Sequence, residues 1–145
     1  MQNPDDAKKV GVEFVAKMKD LFGSENFFLE SQLMDQENLP EQKHLTDIIR
    51  EIGTTTNTRV ICTPDAHYCD KADAVDQRIL LCNNLKTTFI EINTKMLNNE
   101  DVPMGCFFKS DNYHILSPEE MYDLHTEEEI DNTNYVDSLI EEYDI

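Results

Sequence analysis

The chain has 145 residues, 39% of them hydrophobic, and a formal net charge of −18. A domain of this length buries about two-thirds of its unfolded surface, so we expect residues 1–145 to form a single domain. The charge excludes direct binding of a nucleic-acid backbone as an expected function, because such binding requires Lys and Arg to release counterions.

Neither membrane insertion nor secretion is expected. No apolar run approaches the roughly 20 residues that span a bilayer, and residues 1–6 lack the basic and apolar regions of a signal peptide. The cysteines at positions 62, 69, 82 and 106 form no Cys-x-x-Cys pair and are too few for a disulfide framework. We therefore expect reduced thiols in a cytoplasmic protein.

Charge divides the chain into two regions. Residues 1–100 carry 17 acidic and 11 basic residues, whereas residues 101–145 carry 13 acidic residues and Lys109 alone. The acidic region is either a solvated helical face or a docking surface for a basic partner, including one that imitates the charge of DNA.

The first half of the chain predicts a βαβ unit preceded by a helix. Asn3-Pro4 begins the first helix, Gly23 ends it, and its apolar face is expected to comprise Ala7, Val10/Gly11, Phe14, Met18 and Leu21. Strands are predicted at residues 27–33 and 59–63. Between them lies a helix that Asn38-Leu39-Pro40 begins and Gly53 ends, with Leu45, Ile48, Ile49 and Ile52 facing inward. This order predicts parallel neighbouring strands.

The second half predicts short capped helices. Asp70 with Asp73 begins a helix that is expected to bury Ala74, Val75, Ile79 and Cys82. Residues 83–108 give a mixed pattern, in which residues 89–92 are either strand or helix, and residues 113–116 suit a short strand. Ser117 with Glu120 and Thr126 with Glu129 form capping boxes. The first box begins a helix that ends near residue 125, and a last helix is predicted near residues 132–143.

The candidate site is Thr63-Pro64-Asp65-Ala66-His67-Tyr68, which follows the second predicted strand. Side-chain direction repeats every two residues in an extended chain, so Asp65 and His67 are expected to project to the same side. Such a pair ligates Zn²⁺, Mn²⁺ or Mg²⁺. Cys69, His114 and His125 are alternative further ligands, although a histidine in an apolar setting such as that of His114 is more commonly structural.

Several collinear segments carry a family resemblance. Residues 26–30, 39–43, 60–68, 71–74 and 79–82 resemble the polymerase and histidinol phosphatase (PHP) domain, more narrowly that of the bacterial DNA polymerase III alpha subunit. Residues 12–23 resemble the helix that precedes these segments in the family, and residues 107–110 and 116–121 resemble the segment that follows the PHP domain. The resemblance implies an α/β fold, a partial PHP-type β/α barrel over residues 1–100, followed by acidic C-terminal helices over residues 101–145.

The resemblance also implies a metal site of which this chain holds a part. Asp65 and His67 match the late ligand pair of the family, whereas no His-x-His motif is present to match its first ligands. Glu30 matches a family Glu and is expected beside the site with Tyr68, although a solvent-facing strand residue is the commoner case for Glu30. Family members hold up to three metals for phosphoester hydrolysis, some of them for 3′–5′ exonucleolytic proofreading. With two ligands, metal binding by the isolated chain should be weak or absent.

These observations predict a replication protein that is not active as an enzyme alone. We expect a non-catalytic or split component, as a phage or mobile element would encode, that associates with a DNA polymerase, with another replication protein or with itself, because half a barrel exposes strand edges and apolar faces. The alternative is an acidic protein that imitates part of a polymerase and inhibits a replication complex.

Overall fold

The structure is a computed structural model that describes residues 4–102, 108 and 110–141. The described helices and strands follow in chain order: α1 (Pro4–Phe22), β1 (Leu29–Ser31), α2 (Pro40–Thr56), β2 (Val60–Cys62), a 3₁₀ turn (Lys71–Asp73), α3 (Ala74–Leu85), α4 (Phe89–Leu97), α5 (Pro118–Leu124) and α6 (Glu127–Ser138). None of these helices is long and apolar enough to cross a membrane.

The predicted βαβ unit is present. Strands β1 and β2 pair in parallel, with Leu29 opposite Val60 and Ser31 opposite Cys62, and α2 connects them. Both strands are three residues long and therefore shorter than predicted. The mixed α/β class is thus confirmed, with a two-stranded sheet in the described residues.

The chain divides into two units, with boundaries at Thr63/Pro64 and Ser117/Pro118. The first unit contains α1, α2, both strands, α5 and α6, and the second contains the 3₁₀ turn, α3 and α4. In the second unit, Cys82 and Ile92 are buried among five partly buried apolar residues, namely Leu81, Leu85, Phe89, Met96 and Val102. The expectation of a single domain stays a prediction.

Helix α1 presents only part of the predicted apolar face to the interior, at Gly11. Val10, Phe14 and Leu21 are more than half exposed, whereas Val15 is buried. The close approach of α2 explains this orientation, because a Cβ atom added at Gly11 would lie 2.6 Å from Ile52 Cδ1. Lys19 Nζ fixes the other end of α1 by donating to the carbonyl oxygen of Thr56 at 2.9 Å.

Gly53 does not end α2 as predicted, since the helix continues to Thr56 and Asn57 adopts the left-handed conformation (φ 48°) that ends it. Gly53 instead permits close packing, because a Cβ atom there would lie 2.7 Å from Val60 Cγ2 and 3.0 Å from the Thr58 carbonyl oxygen. Of the predicted inward residues of α2, Ile52 is buried and Leu45 is 58% exposed.

Two of the predicted capping patterns are present, one before α3 and one at the start of α6. The Asp70–Asp73 and Thr126–Glu129 capping boxes form, and Thr88 caps α4, so the undecided residues 89–92 are helical. Because the second box sets its start, α6 begins at Glu127 rather than near residue 132, and it ends at Ser138. The predictions at Asn3 and at residues 142–143 lie outside the described residues.

Two further predictions need correction. In α3, Ala74 and Cys82 are buried as predicted, but Val75 and Ile79 are 42% and 51% exposed. The side of α3 that packs against α4 carries Leu81, Cys82 and Leu85, and Val75 and Ile79 are not part of this cluster. The strand predicted at residues 113–116 is reduced to an isolated parallel bridge between His114 and Tyr68.

Helix α6 closes the outer edge of β2 with side chains. Asn132 Nδ2 donates to the Val60 carbonyl oxygen at 3.0 Å, and the Cys62 amide donates to Thr133 Oγ1 at 3.0 Å. The Val60 carbonyl and the Cys62 amide, which point away from β1, are therefore satisfied without another strand.

A buried ionic network connects α2, α5 and α6 to the sheet. Arg50 binds the Glu129 carboxylate through Nε and Nη2 at 2.7 and 2.8 Å, and the Glu129 side chain is 4% exposed. His125 Nδ1 lies 3.4 Å from Glu129 Oε2 and 3.5 Å from Ser31 Oγ. Burial pushes the pKa of Glu129 upward, but the hydrogen bonds from Arg50 and the Thr126 amide outweigh burial and hold that pKa below its ordinary value.

Replacing Arg50 should destabilise the first unit, because Arg50→Met leaves the buried Glu129 carboxylate without its cation. We expect the free energy of unfolding to fall by about 2–4 kcal/mol, less than for a fully buried pair since Arg50 is partly exposed. Urea unfolding at neutral pH measures the change. Lys43→Met, which removes the exposed pair with Asp47, is the matched control and should cost less than about 1 kcal/mol. Equal losses in both variants would contradict the role of the buried pair.

Stability should decrease as the pH falls below the ordinary pKa of His125. Burial lowers the pKa of His125 from 6.5, more than Glu129 raises it, so the unfolded chain binds a proton that the folded chain refuses. The contribution is therefore complete above pH 6.5 and is lost as the pH falls toward the lowered pKa, with a slope of up to about 1.4 kcal/mol per pH unit. Urea unfolding at several pH values between about 7.5 and 5 gives the free energy of unfolding as a function of pH. This free energy should change less steeply with pH in His125→Gln than in the unchanged chain. The exposed His44→Gln variant should keep the full slope, and an unchanged slope in His125→Gln would overturn this explanation.

Candidate functional site

The structure brings Asp65 and His67 together. His67 Nε2 lies 3.2 Å from Asp65 Oδ1, and both side chains are nearly half exposed. The chain reaches this pair directly after β2, and Pro64 restricts the residue before it to extended conformations. A hydrogen bond joins the two groups when His67 Nε2 carries the ring proton, because the Asp65 carboxylate only accepts.

Aromatic packing holds the His67 ring in place. The backbone amide of His67 donates to the Tyr113 carbonyl oxygen at 2.7 Å. The ring meets Phe108 edge-on at 4.8 Å and Tyr113 at 6.0 Å between centroids, and Phe108 stacks on Tyr113 at 3.6 Å. The Tyr113 amide donates to Tyr68 Oη at 3.2 Å. Tyr68 thus supports the segment against which His67 packs.

Glu30 lies in the first unit, whereas Asp65, His67 and Tyr68 lie in the second. Its carboxylate accepts a hydrogen bond from Thr63 Oγ1 at 2.6 Å, and Glu30 is exposed. The central position of Glu30 in β1 agrees with the predicted strand. Its place beside the Asp65–His67 pair stays a prediction.

Within the described ranges, no group of three His, Cys, Asp or Glu residues could hold a metal ion. His114 is buried in the second unit at the bridge with Tyr68, and His125 is buried in the first unit beside Glu129. Catalytic zinc typically has three protein ligands, and the pair offers two donor groups. These residues therefore do not make a complete metal site, and no metal-dependent step follows from them.

Ser31, His125 and Glu129 form a cluster that the sequence motifs did not predict as a whole. The i, i+4 spacing of His125 and Glu129 in a helical region is its only sequence signal. Its composition is that of a Ser-His-Glu triad, but its geometry is not. Both Ser31 Oγ and Glu129 Oε2 approach Nδ1 of the imidazole, and Ser31 is completely buried. A nucleophilic serine needs the other ring nitrogen and access to substrate, so the cluster is structural.

A polar cleft of about 590 Å³ lies between the end of α2 and the start of α6. It contains two arginines, and each already binds a carboxylate: Arg50 binds Glu129, and Arg59 binds Glu25 at 2.9 Å. Arg59 also lies over the Tyr135 ring at 4.3 Å. Because both arginine side chains are paired with carboxylates, the cleft offers no uncompensated arginine charge to bind a phosphate.

Acidic side chains dominate the surface of α5 and α6. The sequence has no Lys or Arg after Lys109. The exposed acids of this acidic surface are Glu119, Asp123, Glu127, Glu128, Asp131 and Asp137. A surface of one sign favours a basic partner and repels nucleic acid.

No protein-family model matches the chain. Over most of its length, however, the chain is similar to bacterial DNA polymerase III. It is 32% identical over 117 residues to DNA polymerase III subunit alpha of Treponema pallidum, which is 81% of this chain and 9% of that protein. It is 32% identical over 101 residues to the Thermus aquaticus subunit, covering 70% of this chain and 7% of that protein.

Similarity extends to a second polymerase type. The chain is 28% identical over 137 residues to DNA polymerase III PolC-type of Staphylococcus epidermidis, covering 90% of this chain and 9% of that protein. The chain therefore spans about a tenth, or less, of the length of the curated relatives it matches. The sequence is thus related to one segment of DNA polymerase III alpha subunits.

Proposed function

We propose that this protein is a replication-associated component that corresponds to the C-terminal half of a polymerase III alpha PHP domain and associates with a polymerase. The observation that carries the proposal is the similarity to the Treponema pallidum alpha subunit over 81% of the chain. The protein is a non-catalytic or half-site component, and its place is the cytoplasm of a bacterium or of a phage-infected cell.

The Asp65–His67 pair supports a shared site rather than an independent enzyme. Its two donor atoms lie 3.2 Å apart and are accessible, so one ion could contact both. Ligands beyond these two must come from elsewhere for a zinc, manganese or magnesium ion to bind tightly. A second polypeptide that completes the barrel would supply them. When bound, the metal would activate water toward a phosphoester.

Exposed apolar side chains in both units support association with another protein. Soluble monomers rarely expose extended apolar patches. Among the described residues, the large apolar residues that are more than half exposed are, in the first unit, Val10, Phe14, Leu21, Phe22, Leu45, Tyr122 and Ile140, and in the second unit Ile79, Leu80, Ile90, Leu97 and Ile115. A polypeptide that covers such residues would remove apolar surface from water. Each Å² removed contributes roughly 25 cal/mol of favourable transfer free energy.

The experiment that tests the proposal is purification of the tagged chain from the organism that encodes it, followed by identification of the bound polypeptides by mass spectrometry. We expect a polypeptide with an N-terminal PHP half that contains His-x-His. If the chain instead co-purifies with an intact replicative polymerase, a clamp or a clamp loader, the split-component proposal is wrong and the alternative below replaces it.

Metal binding by the purified complex should depend on Asp65 and His67. We expect the double variant Asp65→Ala/His67→Ala to weaken Mn²⁺ binding by more than about a hundredfold, because the loss of a ligand exceeds the 10- to 100-fold effect of losing an outer hydrogen-bond partner. Any nuclease activity of the complex should disappear with it. Calorimetric titration of the complex with Mn²⁺ measures the affinity. The control Asp76→Ala/His44→Ala removes an Asp and a His elsewhere and should have no effect. Equal metal affinity in the two double variants would contradict a shared site.

The acidic surface favours a second candidate function, an inhibitor that imitates part of a polymerase. Its exposed acids on α5 and α6 face solvent without a basic residue in the C-terminal part of the sequence. A protein of this kind would bind a basic surface of a replication complex. In that case the Asp65–His67 pair would be dispensable.

Charge reversal distinguishes this second function. For an inhibitor, Asp123→Lys, Asp131→Lys and Asp137→Lys together should slow association with the replication complex by roughly tenfold and reduce its dependence on salt. Surface plasmon resonance at several salt concentrations measures both effects. The matched control reverses three exposed acids of the first 41 residues, Glu13, Glu37 and Glu41. If the control slows association equally, net charge rather than the acidic surface explains binding.

A further inference from the structure

The two edges of the β1–β2 sheet differ in their hydrogen bonding. In the parallel register, Leu29 and Ser31 are the residues of β1 whose backbone groups bond to the second strand. Leu29 N donates to Arg59 O, and Thr63 N donates to Ser31 O. The amide and carbonyl of Glu30 between them point to the outer edge. Within the described part of the chain, no residue hydrogen-bonds these two backbone groups.

The opposite edge is closed. Asn132 and Thr133 of α6 bind the Val60 carbonyl and the Cys62 amide, so a strand cannot pair with β2 without displacing this helix. On the β1 side, the chain beyond the strand is also fixed, because Gln42 Oε1 accepts hydrogen bonds from the Met34 and Asp35 amides. The open backbone is thereby confined to the outer edge of β1.

We propose that the outer edge of β1 receives a β-strand from a different polypeptide and that the sheet grows on this side alone. Two-stranded sheets are marginal, and parallel strands occur chiefly inside larger sheets. The relatives are about ten times longer than the matched segment, so a polymerase-like partner contains ample chain to supply a strand. The inference rests on the proposed function only for the identity of the partner.

A second copy of this chain does not fit the edge. Two copies related by a two-fold axis would pair their β1 strands antiparallel and place the Glu30 carboxylates directly opposite each other. Each copy also carries a net charge of −18. Like charges opposite one another across a strand pair are destabilising, so the occupant is a strand without an acidic residue opposite Glu30.

Proline scanning of the edge tests the proposal in the full chain. Glu30→Pro removes the outward amide without breaking a ladder bond to β2, and Glu30→Gln keeps the amide and removes the charge. A photoreactive benzoylphenylalanine at the exposed Gln32, introduced into the native host, reports what lies at the edge. We expect a covalent adduct with a different polypeptide. The yield of this adduct should fall about tenfold in Glu30→Pro and be retained in Glu30→Gln, because only the proline variant loses a backbone hydrogen bond. The same reagent at Lys43 on α2 is the positional control.

The identity and position of the adduct separate the outcomes. An adduct with a second copy of this chain, an adduct that Glu30→Pro leaves unchanged, or no adduct above the Lys43 control would overturn the proposal. An edge adduct with a polypeptide unrelated to replication would overturn the proposed function and still support strand addition.

Hydrogen exchange provides a measurement that does not require the proline variant to fold. In the purified chain, the Glu30 amide should exchange at least roughly a hundredfold faster than the Ser31 amide. Equal protection of the two amides would mean that the edge is already occupied within the chain, and the proposal would be wrong.

Discussion

The carboxylate of Glu129 holds several separate elements of the first unit in register. It accepts the Thr126 amide and so starts α6, binds Arg50 on α2, and lies beside His125 at the junction of α5 and α6. The backbone carbonyl of the same residue accepts Thr133 Oγ1 at 2.9 Å, and that hydroxyl binds β2. One side chain thus determines where α6 begins and how α6 meets α2. One turn further along, the same helix closes the sheet.

Local chemistry was predictable because it depends on neighbours in sequence. The capping boxes at Asp70 and Thr126 formed where the residue spacing placed them, and the βαβ order gave the parallel pairing of β1 and β2. The closeness of Asp65 and His67 followed from the two-residue period of extended chain. The choice of buried face on α1 did not follow. The apolar residues of α1 are distributed around much of its circumference, so the sequence does not select one face. The approach of Ile52 to Gly11 determines that the side with Val15 is buried.

The candidate site was predictable only in part for a related reason. A motif of two ligands is visible in six residues, but the ionic network of Arg50 and Glu129 joins residues that are 79 positions apart. The orientation of His67 likewise depends on Phe108 and Tyr113, which no short spacing connects to it. Resemblance to polymerase segments predicted the order of the helices and strands. The hydrogen bonds at the edge of β2 were not predictable, because they join residues as far apart in sequence as Val60 and Asn132.

The buried cysteines have a consequence for following the two units separately. Cys62 lies in the first unit and Cys82 in the second, and burial raises the pKa of both thiols, whereas Cys69 is exposed. Alkylating reagents attack the thiolate, so both buried positions are protected until their own unit opens. The rate of labelling at each of these positions therefore reports the opening of one unit, with Cys69 as an internal reference for the unprotected rate. The chain carries, without any added label, the means to learn whether its two units open together or one at a time.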